Sequence, residues 1–393
     1  MAFVSKKTAS IFLTQEVTEG TPVAPSVGTD AIGVLADGFE LNGEKELVER
    51  NLLRSGISKQ VPLVGIQSST ASISCECATS STEGSAPEFD ILMKGLLGGK
   101  HQVTVEVISN SSSDNTTSKI FMVEADAQKF MVGESVVAKA TGAYHFSPIK
   151  AIVSAGIDSY IELLVPAGAV FADDVHVSKV TTYYGANTGH GSITVTSFLE
   201  GAIKMQASGC KVASMSLEGY EVGQLPTLSF SLQGANYTES VEAQTVTPAF
   251  SQATPALILG ACVFMDDVAI PVSNVALSIE NTLGKITSTC APNGVIAQLT
   301  SGRAVSGSFT TYLENDNVDM FTKFNSNTQF SLFLYAKNPT AVAGQGKNYF
   351  GFFVPAAIIT GQPKADTDGI VTIEVAWQAG EDANGKDIFV SFV

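Results

Sequence analysis

The sequence carries little charge, and little of it is positive: 22 Lys and Arg against 38 Asp and Glu, a net charge of −16 over 393 residues. A chain without clustered cations lacks the means to grip phosphate, which argues against a nucleic-acid-binding surface. The same acidity suits a surface that keeps DNA from sticking, since carboxylates repel phosphate over roughly 8 Å at physiological salt. It also serves solubility. Long apolar runs are absent. Segments 257–265 and 352–359 fall well short of the roughly 20 residues of a membrane span. The patch at 11–13 behind Lys6 and Lys7 is too short for a secretory core. The expectation is a soluble protein kept in a cytoplasm, with no membrane partner.

Catalytic patterns are equally scarce. The four histidines, His101, His145, His176 and His190, are scattered, and no Gly-x-Ser-x-Gly elbow occurs. His190-Gly191-Ser192 lies in a glycine-rich turn, which favours a structural role. Gly98-Gly99-Lys100 lacks the spacing of a phosphate loop. Asp366-Thr367-Asp368-Gly369 with Glu374 lacks the third carboxylate of a calcium loop and reads as a β-turn. The five cysteines, Cys75, Cys77, Cys210, Cys262 and Cys290, form no CxxC motif. Cys75 and Cys77, two apart in a strand, share a face and are expected to be buried thiols rather than metal ligands. No enzyme, metal or cofactor is expected.

What is abundant is Gly, Ser, Thr and Val, a composition suited to many short strands. Residues 1–35 read as an arm that Pro22 and Pro25 keep extended, loose or docked on a neighbour. Beyond it lies a weak internal repeat. Alternating Phe39, Glu40, Leu41 and Asn42 leads through a charged stretch, 51–67, to a strand at 71–77 and a helix at about 86–97, which Gly98-Gly99 stops. Val275 to Glu280 leads through 284–303 to a strand at 307–313 and a short helix at about 316–325. Phe39 to Ala71 and Val275 to Gly307 are both 32 residues apart. The closing strands 212–217 and 227–234 parallel 355–360 and 370–380. The repeat gives a first module at 36–101 and 196–240 and a second at 241–393. Between them, 102–195 has no counterpart. Its polar opening at 110–118 and short strand signals at 120–123, 135–138, 160–165 and 176–183 suggest an inserted small β domain.

Several segments, in their order, resemble the tail tube proteins (major tail proteins) of siphophages. They are the arm Gln15-Glu16-Val17-Thr18-Glu19-Gly20-Thr21-Pro22 with Thr29-Asp30-Ala31, and the block Ser85-Ala86-Pro87-Glu88-Phe89-Asp90-Ile91-Leu92. The second half adds Ser301-Gly302-Arg303-Ala304-Val305-Ser306-Gly307 and Asp368-Gly369-Ile370. The resemblance covers roughly 9–100 and 196–393; the insert and the duplication depart from it. It implies a mainly-β fold of β-sandwich modules, each with one short helix, joining into a large ring barrel; with the internal repeat, the chain is expected to carry the module in duplicate.

The resemblance also implies a virion structural protein, assembled in the host bacterial cytoplasm, whose stacked rings form the hollow tail tube. Rings of six modules imply homotrimeric, pseudo-hexameric rings, with a homohexamer as the alternative. Further implied partners are the tape measure, tail terminator and distal tail proteins. Genomic double-stranded DNA passes through the lumen without specific binding. Ring-to-ring contacts are expected at Arg50, Leu53, Arg54 and Lys59 in one long segment and at Lys285 and Arg303 in the other. Lumen-facing acidic candidates are Glu44, Glu46, Glu76 and Glu314. The competing readings are a glycan-binding adhesin, with Tyr144, His145, Tyr183 and Tyr184 in the insert, and a tail-terminator or capsid-decorating protein.

Overall fold

A computed structural model describes residues 9–26, 30–50, 52, 58–110, 114–140, 143–251, 253–259, 262–291, 294–313, 318–337, 349–367 and 369–393. The fold is mainly β, as the composition and the resemblance imply. The chain opens with β1 (Ser10–Gln15), β2 (Phe39–Val48), β3 (Leu63–Glu76) and α1 (Asp90–Leu97). Next come β4 (Gly98–Val103), β5 (Val107–Ile108), β6 (Lys119–Phe121), α2 (Glu124–Ala127), β7 (Ser135–Ala140), β8 (Ala143–Val153), β9 (Tyr160–Leu163), β10 (His176–Val177) and β11 (Val180–Gly185). The first half closes with β12 (Ile193–Leu199), β13 (Ile203–Glu221), β14 (Thr227–Gly234) and β15 (Asn236–Val241). The second half has β16 (Cys262–Met265), β17 (Val268–Ile270), β18 (Val272–Thr287), β19 (Val295–Tyr312) and α3 (Val318–Ser326). It ends with β20 (Phe330–Lys337), β21 (Tyr349–Gly361), β22 (Lys364–Thr367), β23 (Ile370–Ala379) and β24 (Phe389–Phe392).

Period-two alternation decides what each strand buries. In β3, Ala71, Ile73 and Cys75 point into the core, while Ser72 and Glu76 face solvent. In β14 the buried set is Leu228, Phe230 and Leu232. Helix α1 lies across β13 and buries Leu92, Met93, Leu96 and Leu97, each worth about 1.5–3 kcal/mol relative to exposure. It starts at Asp90 rather than near Ala86. Pro87 and Glu88 form the preceding turn, in which the Pro87 carbonyl accepts the Asp90 N–H, and the Glu88 carboxylate accepts the Gly33 N–H at 2.8 Å. The helix ends at Gly98, whose φ of 81° is left-handed. Helix α3 ends in the same way, at Asn327 with φ 51°.

One antiparallel sheet runs in the order β2, β3, β14, β13, β18, β19, β23 and then β21 with its continuation β22. Its first four strands and its last four repeat one connectivity. In each half the first strand pairs the second, the second the fourth, and the fourth the third. The register repeats too. Phe39↔Ile73 and Lys45↔Gln67 become Val275↔Phe309 and Asn281↔Arg303, each residue 236 positions later (39 to 275, 73 to 309). The third strand has an irregularity at the same place in both halves, between Val212 and Ser214 and between Ile359 and Gly361. Before that point β13 pairs β12 and β15, and β21 pairs β20 and β24. Outside them, β1 pairs β12 and β16 pairs β20. A shared apolar core, with Phe230, Leu96, Phe309, Phe350 and Trp377 among its members, fills the space between these layers.

Two elements depart from the sequence reading. Part of the arm is a strand: all six residues of β1 pair with β12, because Ile11, Phe12 and Leu13 have a face to bury. The stretch 284–303, given no strand in the sequence reading, is largely ladder, since β18 and β19 stay paired to Thr287↔Val295. Its β-branched residues favour extended backbone on both sides of the turn.

Strands between 107 and 177 form a second, six-stranded sheet, in the order β5, β10, β7, β8, β9, β6. Strands β4 and β11, on either side of it in sequence, pair with each other, and β11 also pairs β24 of the second half. The core beneath the smaller sheet is shared. Phe146 lies against Phe333, Tyr335 and Tyr349 at ring-centroid separations of 5.6, 5.5 and 5.4 Å. Glu134, fully buried at this junction, accepts from Met131 N–H (3.0 Å) and Thr182 Oγ1 (3.1 Å) and meets His101 Nδ1 at 3.3 Å.

Candidate functional site

The open face of the eight-stranded sheet has an ordered chemistry. Neighbouring registers place Ser74, Ser229, Ser216, Ser278 and Ser306 in one row across five strands, with Gln378 next. Ser74 and Ser229 are hydrogen-bonded at 2.9 Å. One row further along, Glu40, Ser72, Ser231, Ser214, Glu280 and Ala304 face one another in turn. Glu76 and Glu218 flank Thr227, and Glu374 faces Thr310. Glu40, Glu44, Glu76, Glu218, Glu280 and Glu374 are all exposed. Among the described residues, the outward positions of these strands carry no exposed Lys or Arg. Such a face offers short hydroxyls and repulsion to a polyanion, and nothing that grips it.

Of the acidic candidates, Glu44 and Glu76 lie on this face, and Glu46 is exposed at the irregularity that follows Lys45 in β2. Glu314 lies outside the described residues. Sequence reasoning missed Glu40, Glu218, Glu280 and Glu374. The alternation in β13, β18 and β23 contains the signal, because each glutamate sits one step out of phase with a buried apolar neighbour.

The cationic candidates do not form one group. Arg50 and Lys285 are exposed on the two long hairpins. Lys59 pairs with Glu49 at 3.3 Å within its own hairpin, with side chains 81% and 70% exposed. Leu53 and Arg54 lie outside the described residues. Arg303 is buried. Its Nε and Nη2 donate to the two Asp387 oxygens at 2.6 and 3.0 Å, and Nη1 lies 3.4 Å from the Leu97 and Ala186 carbonyls. Exposed apolar side chains occupy the hairpin ends instead: Leu47, Val48, Val61 and Leu63 on one, Ile286 and Ile296 on the other. Bare aliphatic groups in such number at the end of a projection make it a candidate contact surface.

The arm is tied down beside them. Glu16, itself buried, accepts from Gly20 N–H, Thr194 Oγ1 and Gly209 N–H at 2.8, 2.8 and 2.7 Å. Glu19 pairs with Lys211 at 3.3 Å and accepts the Gln298 N–H of β19.

The remaining chemical candidates have structural partners. His190 sits between the Gly95 and Ala186 carbonyls, both at 3.0 Å. Burial lowers the His145 pKa, and its Nε2 meets the Val165 carbonyl at 2.7 Å. Burial pushes the Cys75 and Cys210 thiols up to about 12 and Cys77 well above its usual value. The Asp366 carboxylate accepts the Gly369 N–H at 2.8 Å, closing a turn in which Gly369 has φ 80°. No helix is long and apolar enough to cross a membrane among the described residues.

No curated protein matches the chain. The sequence profile of the phage tail tube protein family matches residues 6–379, nearly the whole chain. With its β architecture, this shows that the chain belongs to the phage tail tube proteins and is a structural protein of the virion tail.

Proposed function

We propose that three copies close into a ring in which each chain supplies two tube modules, and that these rings stack into the DNA-conducting tube. The observation that carries this reading is the seam inside the chain. There β13, the third strand of the first half, pairs β18, the first strand of the second, from Ser214↔Glu280 to Leu217↔Leu277. The same two positions recur at the ends of the sheet. Strand β2 pairs only β3 among the described residues, and β22 pairs only β23. One end therefore carries what the other lacks. An unpaired edge is a template for another strand, and closure removes both edges at once. Repeating the internal seam between copies makes a ring of identical contacts, and six modules per ring require three chains.

In that ring the serine and glutamate face lines the bore, and the long hairpins with their apolar ends reach the next ring. Apolar burial at those ends, supported by Arg50 and Lys285 at the rim, holds the stack together. Assembly takes place in the bacterial cytoplasm, with the tape measure inside the tube and terminator and distal tail proteins closing it. The DNA slides past hydroxyls and carboxylates without a site to hold it. Negative-stain electron microscopy with mass measurement of isolated rings tests this. Hollow stacked rings of three chains are expected; rings of six chains, or isolated particles at every salt and concentration, would overturn it.

A further inference from the structure

At the internal seam the first half's helix is capped by the second half. The last two carbonyls of α1 point at β18 and β19. The Leu96 carbonyl accepts from Asn281 Nδ2 at 2.9 Å, and the Leu97 carbonyl lies 3.4 Å from Arg303 Nη1. Asn281 Nδ2 also reaches the Val212 carbonyl at 3.1 Å. Terminal helix carbonyls have no partner within the helix and carry the negative end of its dipole. Across the seam the facing pair Asn281↔Arg303 supplies a donor to each. Asn281 satisfies the Leu96 carbonyl, and Arg303 adds a longer contact to the Leu97 carbonyl, which also accepts the Ala186 N–H at 2.8 Å.

Helix α3 occupies the place of α1 in the second half. It packs on β21 as α1 packs on β13, and a left-handed residue ends both helices, Gly98 in one and Asn327 in the other. The repeat assigns its last two residues, Asn325 and Ser326, to the places of Leu96 and Leu97. The facing pair in the place of Asn281↔Arg303 is Lys45↔Gln67 in β2 and β3, which the chain holds at the far end of its sheet. Both are hydrogen-bond donors. Lys45 is exposed and Gln67 partly so, although both occupy positions of core parity.

We infer that Lys45 and Gln67 of one copy cap helix α3 of the neighbouring copy, donating to the Asn325 and Ser326 carbonyls. By the same correspondence Lys45 also reaches the Ile359 carbonyl. This rests on the edge-to-edge ring proposed above and adds to it two named residues and a carbonyl acceptor for each. The chemistry of the exchange is coherent. The arginine at the internal seam is balanced by Asp387, whereas between copies a neutral amide donates without needing a countercharge. The lysine supplies the one positive charge, at the negative end of a helix.

A seam probe and a cap probe separate the two ideas. With Cys290→Ser as background, Glu44→Cys and Gly361→Cys face each other between copies if the internal register, Glu280 opposite Ser214, repeats there. A side chain at Gly361 meets nothing closer than 3.9 Å. Facing residues in an antiparallel pair have Cα atoms about 4.5–5.5 Å apart, within disulfide reach. Oxidised tubes of the double variant are expected to give chains linked in series. In the cap probe, Lys45→Ala and Gln67→Ala should each raise the concentration needed for ring formation about two- to fivefold. Lys45→Glu should raise it further and Lys45→Arg little, with monomer melting unchanged in all four. Cross-linked rings whose formation is indifferent to Lys45→Glu and Gln67→Glu would overturn the capping while leaving the edge pairing intact. Assembled tubes that form no such disulfide would overturn the pairing and the capping together.

Discussion

The two halves of the sheet solve one packing problem with different side chains. Ala71 on β3 faces Leu232 on β14, and at the same place in the second half Gly307 on β19 faces Trp377 on β23. A small residue with a medium one is replaced by no side chain with the largest one. A Cβ on Gly307 would come within 2.3 Å of the Ala276 carbonyl oxygen and 2.6 Å of the Trp377 ring. What the duplication preserves is therefore strand order, register and the irregularity in the third strand, with a small residue set against a larger one at this place. Residue identity has drifted within that framework, which is why the repeat is faint in sequence and plain in structure.

The largest expected effect tests where the halves differ, at the Arg303–Asp387 ion pair, whose arginine stands where the first half has Gln67. Arg303→Met leaves the Asp387 carboxylate buried without its partner, and about 3–5 kcal/mol of stability should be lost in urea unfolding. Adding Asp387→Leu should recover most of that loss; no recovery would mean the pair does more than neutralise itself. The next effect sharpens the volume comparison. Trp377→Leu alone should cost about 2–4 kcal/mol through the cavity it leaves. Adding Gly307→Ala, which copies the pairing of the first half, should not recover that loss, because the Ala276 carbonyl oxygen would still stand 2.3 Å from the new Cβ. A double variant more stable than Trp377→Leu would show that volume alone sets the pairing. Gly307→Ala on its own should also destabilise, because both that backbone oxygen and the indole crowd the added methyl.

The smallest effect concerns the junction with the six-stranded sheet. The hydrogen bond to Glu134 raises the His101 pKa above its ordinary value, outweighing partial burial. A folded-state pKa above the unfolded one makes this contribution complete below the ordinary histidine pKa of about 6.5 and lost as pH rises through the raised value. His101→Gln should flatten that dependence. Equal pH profiles for the two proteins above pH 6 would refute the coupling.

Much of the fold was legible because the paired strands alternate strictly. Phe39, Leu41, Ala71, Ile73, Leu277 and Ile279 announce their buried face without help from the rest of the chain. The acidic bore candidates were half legible. Glu44 and Glu76 lie in strands whose phase is clear, but seeing that Glu218, Glu280 and Glu374 share their face requires the strand order, a long-range property. Arg303 was misleading for a physical reason. A lone cation in an acidic sequence looks solvent-bound until its partner is known, and Asp387 lies 84 residues away. Strand β1 was hidden in an arm whose prolines signal extension but do not say against what. The hairpin at 284–303 was hidden because both of its faces are exposed, so no alternation marks it.

The serine row has a consequence for transport. In the proposed ring, Ser74, Ser229, Ser216, Ser278 and Ser306 form a band across the strands that line the bore, so a sliding duplex meets the same small hydroxyl over much of each turn. A helical polymer advancing through such a collar has no preferred angular position. Its energy barely varies as it turns, and friction falls because no deep well exists to climb out of. Smoothness of that kind comes from register alone: shift one strand by a single residue and the collar gains apolar teeth.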